Sequence, residues 1–486
     1  MADRDRRHVR RSGSWLRRGS VALVVLVLVA AAAAWQLDLG SRWFGDEQPS
    51  PVTAPDKVLP PEGLSLPAAR SAPAVAGTTP ATAVSGDAVR RVLAPLIGSK
   101  KLGKHVVVRV AQLSDGKVVY QRGAGPVTPA STMKLLTSTA ALETMGPDHR
   151  FTTRVAAAPG SRRIVLQGGG DPLLARRQPG PADDDYPRVA DLTTLARTTA
   201  KQLRASHRTR VRLSYDDSLF QGPAVNPRWE PGYIPDDVVS PIHALWVDEG
   251  RDATGLGFRS ADPAAAAADF FADALRKQGV TVVGKPRRGL RGDRPVVASV
   301  HSAPLAQLVQ HTLEHSDNEA AEILSRQVAW SEHRQASFTG GAAAVRSVLG
   351  RLGVDTTGDR IYDGSGLSRH DRLSPQTLLS VLEAASSPDH PHLRAAVTDV
   401  PVAGFTGSLA FRFDEGDPRG LGTVRAKTGT LTGVHGLAGT ATSVDGTVMV
   451  FVAIADRVTM RNNLDARVLV DRMAGALGGC RCAATP

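Results

Sequence analysis

Pro129-Ala130-Ser131-Thr132-Met133-Lys134 runs straight into an apolar stretch, Leu135 to Met145, that stops at Gly146-Pro147. Such a run with a Gly-Pro stop predicts a helix, and Ser131 then stands at its N-terminus. First-turn N–H groups lack helical partners and the helix dipole favours negative charge, so an oxyanion forming beside Ser131 is stabilised. Lys134, one turn on, returns to the face of the Ser131 hydroxyl and is placed as its base. A lysine accepts a proton only when neutral, which takes burial or a neighbouring positive charge, and Lys427 is a candidate for that charge. S-x-x-K alone is a weak signal, because Ser114-Asp115-Gly116-Lys117 repeats it. That copy lies between two β-rich runs, His105 to Val110 and Val118 to Tyr120. Asp115-Gly116 is therefore expected to make a hairpin turn with Ser114 and Lys117 in solvent.

Two further motifs follow in order. Ser316-Asp317-Asn318 comes after Leu305, Leu308, Val309 and Leu313, which recur at helical spacing. Ser316 is placed to relay a proton toward a leaving amine, and the Asn318 amide to hydrogen-bond a peptide backbone. Lys427-Thr428-Gly429 ends a β-rich run and precedes two more, Gly433 to Thr442 and Val448 to Ala455, separated by a turn at Val444 to Thr447. Three adjacent antiparallel strands are expected, with the motif on an edge strand. There Lys427 attracts a carboxylate, Thr428 donates a hydroxyl and Gly429 leaves room for a substrate backbone. The Thr430 N–H, with that of Ser131, forms the expected oxyanion hole. Each motif alone fits a helix start or strand end; their order and setting make a serine acyl-transfer site.

The trio resembles that of the low-molecular-mass penicillin-binding D-alanyl-D-alanine carboxypeptidases and endopeptidases, over roughly residues 87 to 478. Gly168-Gly169-Gly170-Asp171-Pro172, Asn318-Glu319-Ala320-Ala321-Glu322 and Asp363-Gly364-Ser365-Gly366-Leu367-Ser368-Arg369 are similar to that family's flanking motifs. The resemblance implies an α+β fold: a penicillin-binding transpeptidase/β-lactamase-like domain of antiparallel sheet and helices, carrying a β-rich insertion. By the same resemblance Asp171 and Arg369 grip the ammonium and carboxylate of a diaminopimelate side chain. The Gly168 to Pro172 segment is also compatible with a plain turn capped by Asp171. The expected substrate is a wall peptide ending in D-Ala-D-Ala, with β-lactams as covalent inhibitors, no cofactor and no metal.

The 486 residues, 42% of them hydrophobic, suffice for two or three packed units. The long gap between Ser131 and Ser316 places an inserted domain at 153–298, leaving 87–152 and 299–478 for a discontinuous catalytic domain. Residues 1–19 form a basic tail with seven arginines, and 20–40 an apolar segment centred on Val21 to Trp35. A positive flank before such a segment keeps the N-terminus inside and sends the rest across a membrane. Ala32 and Ala34 offer a cleavage site, but the long basic region favours a retained anchor. Residues 41–86, rich in Pro and Ala, read as an extended tether. The tail accounts for +5 of the formal charge of +12. The remaining excess suits an anionic envelope, and no basic motif points to nucleic acid. Cys480 and Cys482, in the tail 479–486, are compatible with a disulfide or a dithiol.

Three rival readings stand beside this one. His311-Thr312-Leu313-Glu314-His315 matches the inverted zinc-peptidase pattern, although a solvated helix flank explains the histidines as well. A β-lactamase would add a carboxylate-activated water, and no such element is found by spacing. A silent wall-binding protein would lose its nucleophile, whereas Ser131, Lys134 and Ser316 are all present.

Overall fold

β-branched runs at both ends of the chain and capped helices between them generate two sheets bridged by helices. The computed structural model describes residues 83–179, 186–252, 258–414 and 417–484. Their elements are, in order, α1 (Gly86–Ile97), β1 (Val106–Gln112), β2 (Val118–Arg122), α2 (Met133–Met145), β3 (Thr152–Ala156), β4 (Arg163–Gln167), α3 (Leu192–Ala205) and β5 (Arg210–Asp216). Then come α4 (Pro263–Lys277), β6 (Thr281–Val282), β7 (Arg287–Arg288), β8 (Val296–His301), α5 (Leu305–Glu314), α6 (Asn318–Ser331), α7 (Phe338–Arg351) and α8 (Pro375–Ser386). A short α9 (Ala395–Thr398), three strands β9 (Val424–Leu431), β10 (Val434–Thr442) and β11 (Val448–Ala455), and α10 (Asn463–Gly478) complete the chain.

The first sheet has the order β2-β1-β11-β10-β9 and is antiparallel throughout. Its centre joins the two ends of the sequence, Val108 opposite Ala453 and Val110 opposite Phe451. β11 reads as an unbroken apolar run because helices cover both faces of the sheet. Val450, Val452 and Ile454 pack with Leu135, Leu136 and Leu382 on one side. Met449, Phe451 and Ala453 pack with Leu93, Val470 and Met473 on the other. As expected, Asp115-Gly116 turns the β1–β2 hairpin, Ser114 and Lys117 are exposed, and Lys427-Thr428-Gly429 lies on the edge strand β9.

The second sheet, from residues 152–301, has six strands in the order β6-β5-β4-β3-β8 with β7 beside β5. It is more than a β-rich piece: β5 runs parallel to β4, β6 and β7, and α3 and α4 pack over it. Parallel neighbours require a crossover, and α3, N-capped by the Asp191 side chain, supplies the one between β4 and β5. Contacts between the sheets and the intervening helices join all described residues in one unit.

Both expected outer segments change at their inner ends. Val84 bridges Ala483, and Ser85 N–H donates to the Cys482 carbonyl at 2.8 Å, so residues 83–86 belong to the folded unit rather than to the tether. Cys480 and Cys482 are closed as a disulfide and buried in the core of α1 and α10. Residues 1–82, which contain the basic tail, the apolar segment and most of the tether, lie outside the described residues. Among those described, no helix is long and apolar enough to cross a membrane.

Phe271 on α4 is fully buried beneath the second sheet. Phe271→Ala is expected to cost about 3–5 kcal/mol, seen as a lower urea midpoint on intrinsic fluorescence.

Candidate active site

A tight 3-10 turn, Ala130–Thr132, leads into α2 and fixes Ser131 at the helix entrance. The turn is strained: Ala130 has a φ of 47°, in the left-handed region that residues with a Cβ rarely adopt. Two glycines hold it from outside. Gly366, at φ 82°, lies so close that an added Cβ would sit 1.9 Å from the Ala130 carbonyl oxygen. Gly429 on β9 approaches from the other side, where a Cβ would sit 2.7 Å from the Pro129 oxygen. The edge strand thus reaches the serine because its third motif residue has no side chain.

Lys134 is fully buried. Its Nζ donates to Ser131 Oγ at 3.0 Å, to Asn318 Oδ1 at 2.8 Å and to the Ser365 carbonyl at 2.9 Å. Burial lowers its pKa to about 8, against the opposing pull of Asp317, Asp363, Glu322 and Glu319. The expected help from Lys427 is therefore not what depresses it. The repulsion falls instead on Lys427, also fully buried, whose pKa is held well below the usual range by burial, then by Lys134 and Arg412. Lys427 Nζ donates to the Thr428 carbonyl and hydroxyl, and Thr428 shares a hydrogen bond of 3.0 Å with Ser408.

Ser316 follows α5, partly exposed and with a φ of 59°, and its hydroxyl has no hydrogen-bond partner among the described residues. Asp317 caps α6 through the Ala320 N–H, which turns Asn318 toward Lys134. The Asn318 amide nitrogen donates to the Val238 carbonyl, a residue of the insertion. Thr430, exposed on β9, pairs with His435 one residue beyond the close approach of Gly429. The structure thus brings Ser131, Lys134 and Asn318 into one hydrogen-bonded group, with Gly429 against the serine turn.

Asp171 and Arg369 sit in different surroundings. Asp171 is buried, with one oxygen accepting from the Leu173 N–H and the other unpartnered, and burial raises its pKa to about 7. Arg369 is half-buried, donates to the Thr432 carbonyl at 3.0 Å and faces Glu230 at 3.6 Å.

Sequence reasoning missed the support of this site. Glu322 accepts from the Gly364 and Ser365 N–H groups, and Asp363 from Gly366, Ser368 and the Trp229 indole, so the 363–368 loop is pinned where its carbonyl meets Lys134. Glu319, three residues before Glu322 on the helix, pairs with Arg259 of the insertion at 2.7 Å. The available signal was two glutamates at one-turn spacing in an otherwise apolar helix start. The histidines also differ from expectation. His311 is no solvated flank: its Nε2 lies 3.3 Å from Asp317 Oδ2. Burial opposes its charge, yet Asp317, Glu249 and Glu314 raise its pKa overall. Around His311, the ligand atoms that converge within 4.8 Å are those of Glu249, His311 and Asp317, a set that leaves out Glu314 and His315.

Comparison with known proteins converges on the same region. Residues 90–256 and 251–477 match the D-Ala-D-Ala carboxypeptidase 3 (S13) family. The chain belongs to that family. S13 relatives include carboxypeptidase DacB of Mycolicibacterium smegmatis, 35% identical over 97% of this chain and 99% of that one. The D-alanyl-D-alanine carboxypeptidase of Actinomadura is 30% identical over 70% of this chain and 75% of its own. The crystal structure of penicillin-binding protein 4 from Haemophilus influenzae superposes with a TM-score of 0.65 over 80% of this chain and 98% of that one, at 22% identity. The S13 fold, α+β with an antiparallel sheet, is thereby that of this chain.

Gly366→Ala would strain both φ and the Ala130 contact. A stability loss of about 1–3 kcal/mol is expected from the backbone term alone, read against wild type by thermal melting.

Proposed function

We propose that this S13 protein is a serine D-alanyl-D-alanine carboxypeptidase and endopeptidase, working through an acyl-enzyme on Ser131. The observation that carries the reading is a completely buried lysine, its pKa lowered to about 8, at 3.0 Å from a serine hydroxyl at a helix entrance. Such a lysine can take the hydroxyl proton near neutral pH, where an ordinary lysine cannot.

Ser131 Oγ attacks the carbonyl carbon of the penultimate D-alanine while Lys134 accepts its proton. The N–H groups of Ser131 and Thr430 stabilise the resulting oxyanion. Ser316 passes a proton to the departing amine, the C–N bond breaks, and D-alanine leaves. Water then attacks the ester, and Lys134 again handles the proton. Lys427 and Thr428 receive the terminal carboxylate, while Asn318 and the edge of β9 align the peptide. A cross-link between D-alanine and diaminopimelate presents the same bond, which gives the endopeptidase reaction. Arg369 suits the side-chain carboxylate, and the unpartnered Asp171 oxygen its ammonium. In the cell, the apolar 20–40 segment would hold the enzyme on the outer face of a membrane, with residues 41–82 as its tether.

A β-lactamase reading is not favoured, because the carboxylates that act on Lys134 are occupied. Glu322 and Asp363 bind loop N–H groups, Asp317 caps α6 and Glu319 pairs with Arg259. None of these four is offered to a water at Ser131, so deacylation of a bound penicillin should be slow.

A fluorescent penicillin should label the wild type stably and fail to label Ser131→Ala; hydrolysis of D-Ala-D-Ala peptide that survives in that variant, or dies only with a zinc chelator, would overturn the reading. The labelling rate should climb with pH, because the neutral fraction of a lysine with a pKa of about 8 grows from about one-tenth at pH 7 to about nine-tenths at pH 9. Lys134→Arg, which cannot deprotonate, should slow labelling by about 100-fold or more and remove that rise.

A further inference from the structure

The carboxylates of Glu249 and Asp317 and the imidazole of His311 come together beside the turn that carries Ser316 and Asn318. They arrive from three separate elements: Glu249 from a turn of the insertion, His311 from the last turn of α5 and Asp317 from the cap of α6. One ligand atom from each lies within 4.8 Å of the other two. Asp317 Oδ1 is taken up by the Ala320 N–H at 2.9 Å. Its Oδ2 is buried and has no hydrogen-bond partner among the described residues, although His311 Nε2 lies 3.3 Å away. The Asp317 side chain as a whole is 5% exposed.

Two carboxylates that share a partly dry site repel each other, and a buried oxygen without a donor is costly, unless a proton or a cation answers them. The Asp317 charge is the largest influence on Glu249 and raises its pKa ahead of burial. Neighbouring arginines do not fill the gap. Arg259 pairs with Glu319 at 2.7 Å and stays 4.0 Å from Glu249 Oε2, and Arg251 donates to that same Oε2 at 3.0 Å. Glu249 keeps its second oxygen, and neither arginine satisfies Asp317 Oδ2. Nitrogen and oxygen ligands sit about 2.0–2.2 Å from a tetrahedral Zn²⁺, hence roughly 3.4 Å from one another. His311 Nε2 and Asp317 Oδ2 already have that spacing. The side chains of Glu249 and His311, 23% and 21% exposed, leave an entry from solvent and a position for water.

We propose that Glu249, His311 and Asp317 bind one Zn²⁺ ion, with water completing its coordination. One imidazole beside two carboxylates favours zinc over Ca²⁺ and Mg²⁺, which take oxygen ligands. The set differs from the inverted zinc-peptidase pattern, which would engage His315 as a ligand and Glu314 as a base. The ion's role is structural: it joins the insertion to α5 and to the cap of α6, and so fastens Asp317 between Ser316 and Asn318. Zinc binding here is independent of the acyl-enzyme reading.

The test is calorimetric titration of Zn²⁺ into the full chain after metals have been stripped with a chelator and the chelator dialysed away. Wild type should bind one ion, and Ca²⁺ in excess should not compete. His311→Ala and Glu249→Gln should each weaken binding about tenfold or more. His315→Ala should shift it by less than about threefold, as should His392→Ala, which breaks the other group of converging ligands, Glu143, His390 and His392. Thermal melting of the metal-free proteins checks that each variant is folded. X-ray absorption at the zinc edge of loaded wild type needs no variant and should show one imidazole with oxygen ligands, whereas either alternative histidine pair would show two. Absence of zinc binding, binding indifferent to both His311→Ala and Glu249→Gln, an equal loss in His315→Ala or His392→Ala, or a two-imidazole spectrum would each overturn the proposal.

Discussion

A lysine ammonium cut off from water must be compensated by the groups around it, and the helices and loops around Ser131 are organised to do so for Lys134. Removing a charge of this kind from solvent is costly enough that the group sheds its proton or acquires close partners. Here both happen: three oxygens accept from Nζ, and the remaining cost appears as a lowered pKa. Each acceptor comes from a different part of the chain, the serine turn, the start of α6 and the 363–368 loop. Their positions are in turn set by the Asp317 cap, the Glu322 clamp and two close glycine approaches. Lys427 shares the dry environment, so the two amines cannot both stay charged at little cost, and burial falls hardest on Lys427.

The insertion belongs to this arrangement as well as adding a sheet. The Val238 carbonyl receives the Asn318 amide, Arg259 neutralises Glu319, and the Trp229 indole donates to Asp363. All three contacts cross from residues 153–298 to elements that touch Lys134 or hold what touches it. A change in the insertion can therefore reach the Ser131–Lys134 group without altering any motif residue.

What was legible in the sequence was local. The entry into α2 is written in an apolar run with a Gly-Pro stop, and the β9–β11 meander in β-branched runs and a Val-Asp-Gly-Thr turn. The spacing between Ser131 and Ser316 announced an insertion, while its mixed sheet stayed hidden because parallel pairing joins strands far apart in sequence. Equally hidden was the partner of His311: a helical flank position says nothing of an aspartate six residues on whose cap folds it back. The cause of the Lys134 shift was misread for a similar reason, since burial depth is a property of the whole packing and a nearby lysine is visible in the motif. Cys480 and Cys482 looked like a loose tail by position, but the β-bridge of Val84 with Ala483 draws them into the core.

The central pairing of β1 with β11 has a temporal meaning. Chains emerge from their N-terminus, and a contact between residues near 108 and 453 cannot form until nearly all of the polypeptide exists. The second sheet draws its strands from a much shorter span and can condense earlier. Ser131 and Lys134 are thus made long before β9 brings Lys427 and Gly429 to them, and a truncated nascent chain holds Ser131 without the strand that packs against its turn. Assembly order itself leaves the surroundings of Ser131 incomplete until synthesis is nearly finished.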